Sequence, residues 1–299
     1  MIAAVRDVHS IGSLTFERRL SDAAQRNDSL LCVGLDPVLD RLPAPLRNMT
    51  DVAEAIVAFN TGIIEATSDL VSVYKPNLAF YLAHGEAGVR ALAETRRRIP
   101  GHIPVLLDAK VGDVGSTAEA YATAYFDTWG FDAVTVNPYL GEDSLAPFLR
   151  RADRGVIVVC KTSNPGSADY QDRNIDGQPL HQVVAASLAE TTLRLRGPAS
   201  GWSSLGIVAG ANYPEQSERL RELLPHALFL IPGYGAQGGR AADAIRSLVR
   251  GTHGNLEGGL VSSSRGLLFP EAGATKDRRA WDSAIDQALR RAIEDLTGR

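Results

Sequence analysis

Two acidic and two basic residues with short spacings are the groups of this sequence best suited to chemistry. Asp108, Lys110 and Asp113 lie in the run DAKVGD, and Lys75 lies in the run VYKPN. Residues two apart on a β-strand project to the same side, so Asp108 and Lys110 would hold opposite charges next to each other. Such a pair can also be a purely structural ion pair. Two acids together with two lysines favour a functional array, because buried ions are unfavourable unless opposite charges flank them.

Lysine is rare in this chain, which makes its positions informative. Of the 31 basic residues only four are lysines, at positions 75, 110, 161 and 276. Because arginine is effectively never deprotonated, a lysine kept inside an apolar segment indicates a need for an ammonium that can release a proton. The pattern favours chemistry at Lys75, Lys110 and Lys161, and neighbouring carboxylates would hold such lysines protonated.

Short apolar runs alternate with longer amphipathic runs along the chain, which is typical of βα units around a parallel sheet. Eight runs are predicted strands: 29–36, 70–76, 103–110, 132–138, 155–163, 205–211, 227–233 and 259–265. Eight such units favour a (β/α)8 TIM barrel over an open sheet, and the absence of a dividing linker predicts a single α/β domain. Its parts would be an N-terminal extension and helix at 1–28, the barrel at 29–270 and a closing C-terminal helix at 271–299.

Polar residues cluster where the predicted strands end. On the second strand, Val71, Val73, Lys75 and Asn77 share one face, with two apolar residues followed by two polar ones. This order describes a core that gives way to a site, and barrel enzymes carry their active residues at the carboxyl ends of the strands. The polar residues at those ends are Asp36, Lys75, Asp108, Lys110, Asn137, Ser163 and Arg265.

Local signals predict how several segments begin and fold. Asp51 is a candidate N-cap for the helix that follows it, Ser116 or Thr117 for the helix after the DAKVGD run, and 278–296 is a predicted closing helix. Asn137 could line the pocket or cap a turn, and the turn is favoured. The polar segment 164–180 is longer than most βα loops, which indicates an active-site lid or a tolerated insertion. Its place after the fifth strand favours the lid.

The composition excludes several classes of protein. The chain of 299 residues has a net charge of -4 and no run rich in Lys or Arg, which argues against a nucleic-acid surface. No window approaches the roughly 18 uninterrupted apolar residues of a membrane span. Cys32 and Cys160 lie far apart in apolar runs, which predicts buried thiols in a reducing compartment rather than a disulfide or zinc site. We therefore expect a cytoplasmic protein.

A glycine-rich run after the seventh predicted strand is a candidate phosphate site. Barrels commonly bind phosphate with the loops after strands seven and eight, where backbone amides converge on the anion. Gly235 and Gly238 would allow close backbone approach, and the side chains of Gln237 and Arg265 can donate hydrogen bonds. A glycine-rich turn alone is more often only a turn. Arg265 at the end of the adjacent strand favours the phosphate site.

Several motifs together resemble those of the orotidine 5'-phosphate decarboxylase family. DAKVGD matches the Asp-x-Lys-x-x-Asp signature of that family, and YKPN looks like its upstream lysine. The runs LCVGLDP, TSNPGS, PGYGAQGG and SSSRG occur in the family's order, so the likeness spans nearly all of the barrel. The longer loops resemble the larger bacterial branch. The resemblance implies decarboxylation of orotidine 5'-monophosphate to uridine 5'-monophosphate, the last step of pyrimidine synthesis, without a cofactor or metal ion.

The resemblance also implies roles for individual residues. Lys75, Asp108, Lys110 and Asp113 would form an alternating charge array, with Lys110 as the acid that protonates the pyrimidine. Asp113 would reach into the neighbouring subunit's site, which implies a homodimer with shared active sites. Asn77, on the same face as Lys75, is a further candidate for binding substrate. The other residues that the resemblance places on the substrate are Asp36, Lys75, Thr117 and Ser163, beside the phosphate candidates Gln237 and Arg265.

Two other functions remain open at this point. A Mg2+-dependent sugar-phosphate lyase or aldolase of the same superfamily, such as a hexulose-phosphate synthase, shares the Asp-x-Lys-x-x-Asp pattern. Those enzymes need a carboxylate where Lys75 stands, and an ammonium there would repel Mg2+. A non-catalytic phosphate-binding barrel would keep Gln237 and Arg265 but would gain nothing from four buried charges.

Overall fold

The apolar runs form one parallel sheet that closes on itself. The computed structural model describes residues 14–235, 238–251, 254–270 and 278–297. The barrel strands are β1 (Leu31–Gly34), β2 (Val73–Lys75), β3 (Leu106–Val111), β4 (Ala133–Val136), β5 (Gly155–Lys161), β6 (Leu205–Ala209), β7 (Leu228–Ile231) and β8 (Gly259–Ser263). They are hydrogen-bonded in the order β2-β1-β8-β7-β6-β5-β4-β3, and every neighbouring pair is parallel.

Hydrogen bonds between the β2 and β3 segments join the two ends of this sheet. Tyr74 N donates to Pro104 O at 3.2 Å, and Asp108 N donates to Pro76 O at 3.0 Å. Parallel bridges connect the same two segments. The predicted (β/α)8 barrel is confirmed, and each of the eight predicted strands overlaps an observed one.

One helix precedes β1, and further helices follow the strands. The longer ones are α1 (Phe16–Asn27), α2 (Val52–Thr67), α3 (Gly85–Arg98), α4 (Gly115–Ala122), α5 (Glu142–Leu149), α6 (Leu180–Arg194), α7 (Pro214–Leu223) and α8 (Arg278–Thr297). The π-helical turn Thr123–Thr128 continues α4. Short helices span Ala44–Arg47, Leu78–Leu82, Ala241–Ala244 and Arg265–Leu268, and 3-10 turns span Leu39–Arg41 and Pro165–Asp169. Two hairpins pair Asn174–Ile175 with Gln178–Pro179 and Val249–Arg250 with Leu256–Glu257.

The predicted helix starts have two different outcomes. Asp51 caps α2, since its side chain accepts from Ala53 N and Glu54 N. The closing helix is also confirmed as α8. The prediction of Ser116 or Thr117 as N-cap is wrong, because α4 already begins at Gly115. Gly115 has a φ of 54°, a conformation that glycine adopts readily, so the chain turns into the helix earlier than the polar residues indicated.

An apolar layer fills the inside of the barrel. It takes alternate residues from all eight strands: Cys32, Val73, Leu106, Ala133, Ile157, Val208, Leu228, Leu230 and Leu260. Phe16 of α1 joins this layer, and a side chain at Gly155 would overlap the Phe16 ring. Because side chains alternate along a strand, Lys75, Asp108 and Thr135 point into the same interior, one layer nearer the carboxyl ends.

Both cysteines are free and buried, as predicted. Cys32 lies on β1 and Cys160 on β5, and burial raises the pKa of each thiol to about 12. They therefore pack as small apolar side chains. In the part of the chain that the structure describes, no helix combines the length and the apolar character needed to cross a membrane.

Candidate active site

One buried carboxylate lies between two lysines at the carboxyl ends of β2 and β3. Asp108 Oδ2 is 3.2 Å from Lys75 Nζ, and Asp108 Oδ1 is 2.6 Å from Lys110 Nζ. The side chains of Lys75 and Asp108 are buried, whereas that of Lys110 is 45% exposed. The hydroxyl of Thr135 on β4 donates to Asp108 Oδ1 at 2.9 Å. We call Lys75, Asp108, Lys110 and Thr135 the shared-carboxylate cluster, because the two lysines share Asp108.

The β3 strand is irregular where it carries Lys110. Its register with β4 shifts between Leu107 and Val111, and Lys110 has a φ of 46°. This left-handed conformation is uncommon for a residue other than glycine. Thr135 Oγ1 accepts from both Ala109 N and Lys110 N at 2.9 Å. The direction of the Lys110 side chain is therefore set by a bulge that Thr135 holds, and not only by the alternation of side chains along the strand.

Lys75 and Asp108 of the shared-carboxylate cluster keep each other ionised. Burial raises the pKa of the Asp108 carboxyl, but Lys75 and Lys110 outweigh it and hold that pKa well below its ordinary value. Burial likewise lowers the pKa of Lys75, but Asp108 and Asp36 outweigh it and raise that pKa above its ordinary value. Lys110 shares its carboxylate with Lys75, so its ammonium is only partly neutralised. Such a fixed cation can stabilise negative charge that develops on a ligand.

Asp36 and Asn77 extend the polar region beyond Lys75. Asp36, which follows β1, is buried, and its Oδ1 accepts from Asn77 N at 3.1 Å. Asn77 Nδ2 lies 3.4 Å from Asp108 Oδ2, while Asn77 Oδ1 accepts from Ala79 N at 3.1 Å and caps a short helix. The structure thus brings Asp36 and Asn77 to the shared-carboxylate cluster, and it gives Asn77 a structural bond as well.

Asp113 and Thr117 do not join the shared-carboxylate cluster within a single chain. Asp113 Oδ1 accepts from Val114 N at 2.8 Å, and Asp113 makes no ion pair with any of the described residues. Thr117 is exposed on α4. One chain therefore assembles three of the four residues of the predicted charge array.

Ser163 lies after β5 with its backbone held from two sides. Its side chain is buried, and Asn212, after β6, donates from Nδ2 to Ser163 O at 3.2 Å. A Cβ atom at Gly210 or at Gly233 would lie 2.9 Å from atoms of Ser163. The loops after β6 and β7 therefore pack closely on Ser163 and fix its position at the barrel mouth.

The glycine-rich turn after β7 uses conformations that favour glycine. Gly233, Gly235 and Gly238 have φ angles of 103°, 72° and 87°. Gly235 N donates to Gly239 O, and Gly239 N donates to Gly233 O, both at 3.0 Å. The turn is therefore closed by its own backbone. Gln237, the predicted phosphate donor, lies outside the described residues.

Arg265 follows β8, the strand that pairs with β7. It is exposed and begins the short helix Arg265–Leu268. β8 pairs with β7 so that Gly259 is opposite Phe229 and Val261 is opposite Ile231. Because β7 and β8 are neighbours in the barrel, the segments that follow them leave the sheet from adjacent positions.

A second buried lysine lies at the end of β5. Lys161 is 0% exposed, and its Nζ is 2.8 Å from both carboxylate oxygens of Asp172 and 3.1 Å from Ser167 Oγ. The same ammonium lies 4.1 Å from the centroid of the Tyr213 ring. We call Lys161, Ser167, Asp172 and Tyr213 the β5 cluster. It ties the segment 164–180, for which a lid was favoured, to the barrel.

The sequence analysis missed two residues of the site, Thr135 and Asn212. A signal for Thr135 was present, because Ala133, Thr135 and Asn137 share a face of β4 in the apolar-then-polar order that pointed to Lys75. Asn212 had no comparable signal, since its role depends on how the loop after β6 meets Ser163. Asn137 itself is exposed, and its Oδ1 accepts from Tyr139 N at 3.0 Å, so it caps a turn as favoured.

The fold is that of the TIM-barrel enzymes, and it brings lysines and aspartates together at the carboxyl ends of the strands, where such enzymes carry their active sites. The family model described as "Orotidine 5'-phosphate decarboxylase / HUMPS family" matches residues 29–271. The chain belongs to this family.

Full-length relatives carry the first of the two names in that description. A Thermomicrobium roseum protein named orotidine 5'-phosphate decarboxylase is 44% identical over 289 residues, which cover 95% of this chain and 98% of the relative. A Roseiflexus castenholzii protein of the same name is 46% identical over 285 residues, which cover 93% and 99%. The solved structure of Leishmania donovani OMP decarboxylase matches with a TM-score of 0.74 and 36% identity, over 95% of this chain and 97% of that one.

Proposed function

We propose that this chain decarboxylates orotidine 5'-monophosphate to uridine 5'-monophosphate and that the shared-carboxylate cluster carries the reaction without a cofactor. The observation that carries the proposal is Asp108 held between Lys75 and Lys110, with the Lys110 side chain 45% exposed. The names of the near-full-length relatives support the choice of substrate.

The reaction requires stabilisation of a carbanion. When carbon dioxide leaves C6 of the pyrimidine, the bonding electron pair stays in an sp2 orbital orthogonal to the ring π system, so delocalisation helps little. A fixed ammonium beside C6 stabilises charge that appears only in the transition state, and each ~1.36 kcal/mol of this selectivity is worth about tenfold in rate. Lys110 supplies this ammonium, transfers one proton to C6 and regains a proton from solvent through its exposed side.

Groups next to the shared-carboxylate cluster bind the rest of the nucleotide. Lys75 and Asp36 hold ribose hydroxyls, since a buried ammonium and a buried carboxylate offer a donor and an acceptor side by side. Asn77 adds an amide on the same face, and Ser163 contacts the pyrimidine.

The loops after β7 and β8 bind the phosphate group. Arg265 binds it bidentately, and the backbone around Gly235 and Gly238 approaches it closely. Gln237, which lies between Gly235 and Gly238 in the sequence, is proposed as a further side-chain donor to the phosphate. The glycine φ angles and the pairing of β7 with β8, which makes the segments after them neighbours, support this assignment.

The active unit is a homodimer in which Asp113 and Thr117 complete the neighbouring site. Val114, Tyr139 and Leu140 support this part of the proposal, because they are exposed apolar side chains close in sequence to the ends of β3 and β4, and Tyr139 is 89% exposed. A second copy would remove this apolar surface from water. Light scattering should give a mass of twice the chain's 32.0 kDa. The 32.0 kDa of a single chain would contradict the shared site.

A cytoplasmic location is part of the same proposal. The buried, unpaired thiols of Cys32 and Cys160 support it, because cysteines of secreted chains are more often paired in disulfides.

A Mg2+-dependent sugar-phosphate reaction is the less favoured function. The place where such an enzyme needs a carboxylate is filled by Lys75, whose ammonium is 3.2 Å from Asp108. Charge repulsion between this ammonium and a divalent cation disfavours a metal site there.

The decisive experiment is an activity assay on EDTA-treated protein. We expect orotidine 5'-monophosphate to be converted to uridine 5'-monophosphate at the same rate before and after treatment. The conversion is monitored by the loss of pyrimidine absorbance. Activity that appears only after Mg2+ is added would favour the sugar-phosphate alternative. Binding of the nucleotide without turnover would favour a non-catalytic barrel.

A further inference from the structure

Thr135 lies at the centre of the shared-carboxylate cluster but has no part in the chemistry. Its side chain is fully buried on β4, one strand away from the three β3 residues that its hydroxyl contacts. Its hydroxyl donates to Asp108 Oδ1 at 2.9 Å and accepts from Ala109 N and Lys110 N, each at 2.9 Å. A hydroxyl has one donor and two acceptor lone pairs, so these three bonds use its full capacity.

We propose that Thr135 is a positioning residue, which holds the Lys110 backbone in its left-handed conformation and aims the Asp108 carboxylate with the same hydroxyl group. The proposal rests on the proposed decarboxylase function, because it assigns the placement of the proton donor. Lys110 has a φ of 46°, and a non-glycine residue keeps such a conformation only when its surroundings enforce it. Among the described contacts, Thr135 supplies the bonds from the neighbouring strand to the amides of this bulge.

Loss of the hydroxyl should affect the chemical step more than substrate binding. The amides of Ala109 and Lys110 would lose their shared acceptor, and Lys110 Nζ would no longer start from a fixed backbone. A misplacement of about 1 Å in a catalytic group costs roughly 100-fold in rate. The phosphate and ribose contacts lie on other strands, so the KM should change little.

The test compares two substitutions that differ in the hydroxyl. Thr135→Val keeps the branched shape and removes the hydroxyl, and we expect kcat to fall about 100-fold with KM within about threefold of the wild type. Thr135→Ser restores the hydroxyl and should recover kcat to within about threefold of the wild type. Affinity for uridine 5'-monophosphate, measured by calorimetry, should be unchanged in both variants.

Thr192→Val is the matched control. Thr192 is buried on α6, and no partner for its hydroxyl is found among the described residues. This variant should keep the wild-type kcat. Thr135→Ala repeats the measurement if Thr135→Val does not fold.

Three results would overturn the proposal. The first is a wild-type kcat in Thr135→Val or Thr135→Ala. The second is an equal loss of kcat in Thr135→Val and Thr135→Ser, which would assign the effect to packing. The third is a rise in KM at constant kcat. An inactive wild-type protein would instead contradict the proposed function, so the two failures are distinguishable.

Discussion

The shared-carboxylate cluster and the β5 cluster are two buried ion pairs at the same end of the barrel, and they differ in how their charges are balanced. In the first, Asp108 is divided between Lys75 and Lys110, and the Lys110 side chain is 45% exposed. In the second, Lys161 is fully buried, and no other lysine or arginine among the described residues pairs with its partner Asp172, whose Oδ1 also lies 3.2 Å from His181 Nδ1. Only the first cluster has an ammonium that is both incompletely neutralised and accessible.

The N–H donors of Lys110 and Lys161 also distinguish the two clusters. Lys161 has three N–H donors, and they reach the two oxygens of Asp172 and the hydroxyl of Ser167, while the Tyr213 ring covers the ammonium. A ligand would have to displace one of these contacts. A buried lysine is therefore weak support for a catalytic role unless its charge and a donor are still available.

The largest effect that tests this comparison is expected at Lys110. Lys110→Ala removes the exposed ammonium and should lower kcat by at least ~10⁴-fold, since it removes both the proton donor and the stabilising charge. Affinity for uridine 5'-monophosphate should stay within about threefold, because the product does not develop the charge that Lys110 stabilises. Steady-state kinetics and calorimetry measure the two quantities. Near-normal turnover would refute the assignment of Lys110 as proton donor.

Mixing two inactive variants sharpens the same prediction. If Asp113 completes the neighbouring site, a heterodimer of Lys110→Ala and Asp113→Ala contains one site with both changes and one intact site. Random exchange of subunits should then restore about a quarter of the wild-type activity. Two inactive proteins that stay inactive after exchange would show that Asp113 acts within its own chain.

A smaller effect, on stability and not on chemistry, is expected at Lys161. Lys161→Met removes the buried ammonium and should lower the free energy of unfolding by about 2 kcal/mol. The loss is below that of a fully buried pair because the Asp172 side chain is 34% exposed and can be hydrated. We expect kcat to fall less than about tenfold, since the β5 cluster only supports the segment next to Ser163.

Asp172→Asn is the matched variant for this prediction. It leaves the Lys161 ammonium buried without its carboxylate and should destabilise more than Lys161→Met, by about 3 kcal/mol. The double variant should lose less than the sum of the two single losses. Urea unfolding measures all three variants. A kcat for Lys161→Met as low as that of Lys110→Ala would remove the distinction between the two clusters.

The sequence predicted the barrel and the charged residues for the same reason, since both depend on local patterns. Strand runs and the spacing of Asp108 and Lys110 are visible within a few residues. All strand ends except that of β3 were predicted too late, as on β4, which ends at Val136 while the Asn137 side chain accepts from Tyr139 N. A polar residue after an apolar run looks like part of the strand until its side-chain hydrogen bond is known.

The parts of the site that were not predicted depend on contacts between distant segments or on unusual backbone. The left-handed conformation of Lys110 has no signal in its residue type, because lysine seldom adopts it. The contact of Lys161 with Asp172 joins residues eleven positions apart across an irregular loop, where no periodicity applies. Thr135 is the exception, since the face pattern of β4 contained it.

The smallest effect in this comparison is a dependence of stability on pH that comes from His181, whose Nδ1 lies 3.2 Å from Asp172 Oδ1 of the β5 cluster. Burial lowers the pKa of His181, although Gln171 O and Asp172 favour its charged form. His181 Nδ1 is 2.8 Å from Gln171 O, and Nε2 is buried with no partner among the described residues, so a second ring proton would have no acceptor. Asp108 and Lys75, whose pKa values lie below and above their ordinary ranges, keep their charges throughout the neutral range.

The sign of the effect follows from the lowered pKa of His181. The unfolded chain takes up the proton at a higher pH than the folded chain, so the stabilisation is complete above the ordinary pKa of about 6.5 and is lost as the pH falls below it. Between pH 6.5 and 5.5 the loss from one such group is at most about 1.4 kcal/mol. Urea unfolding at both pH values should show a smaller loss for His181→Gln than for the wild type. An equal loss in the two proteins would mean that His181 titrates alike when folded and unfolded, and the β5 cluster would then be as insensitive to pH as the shared-carboxylate cluster.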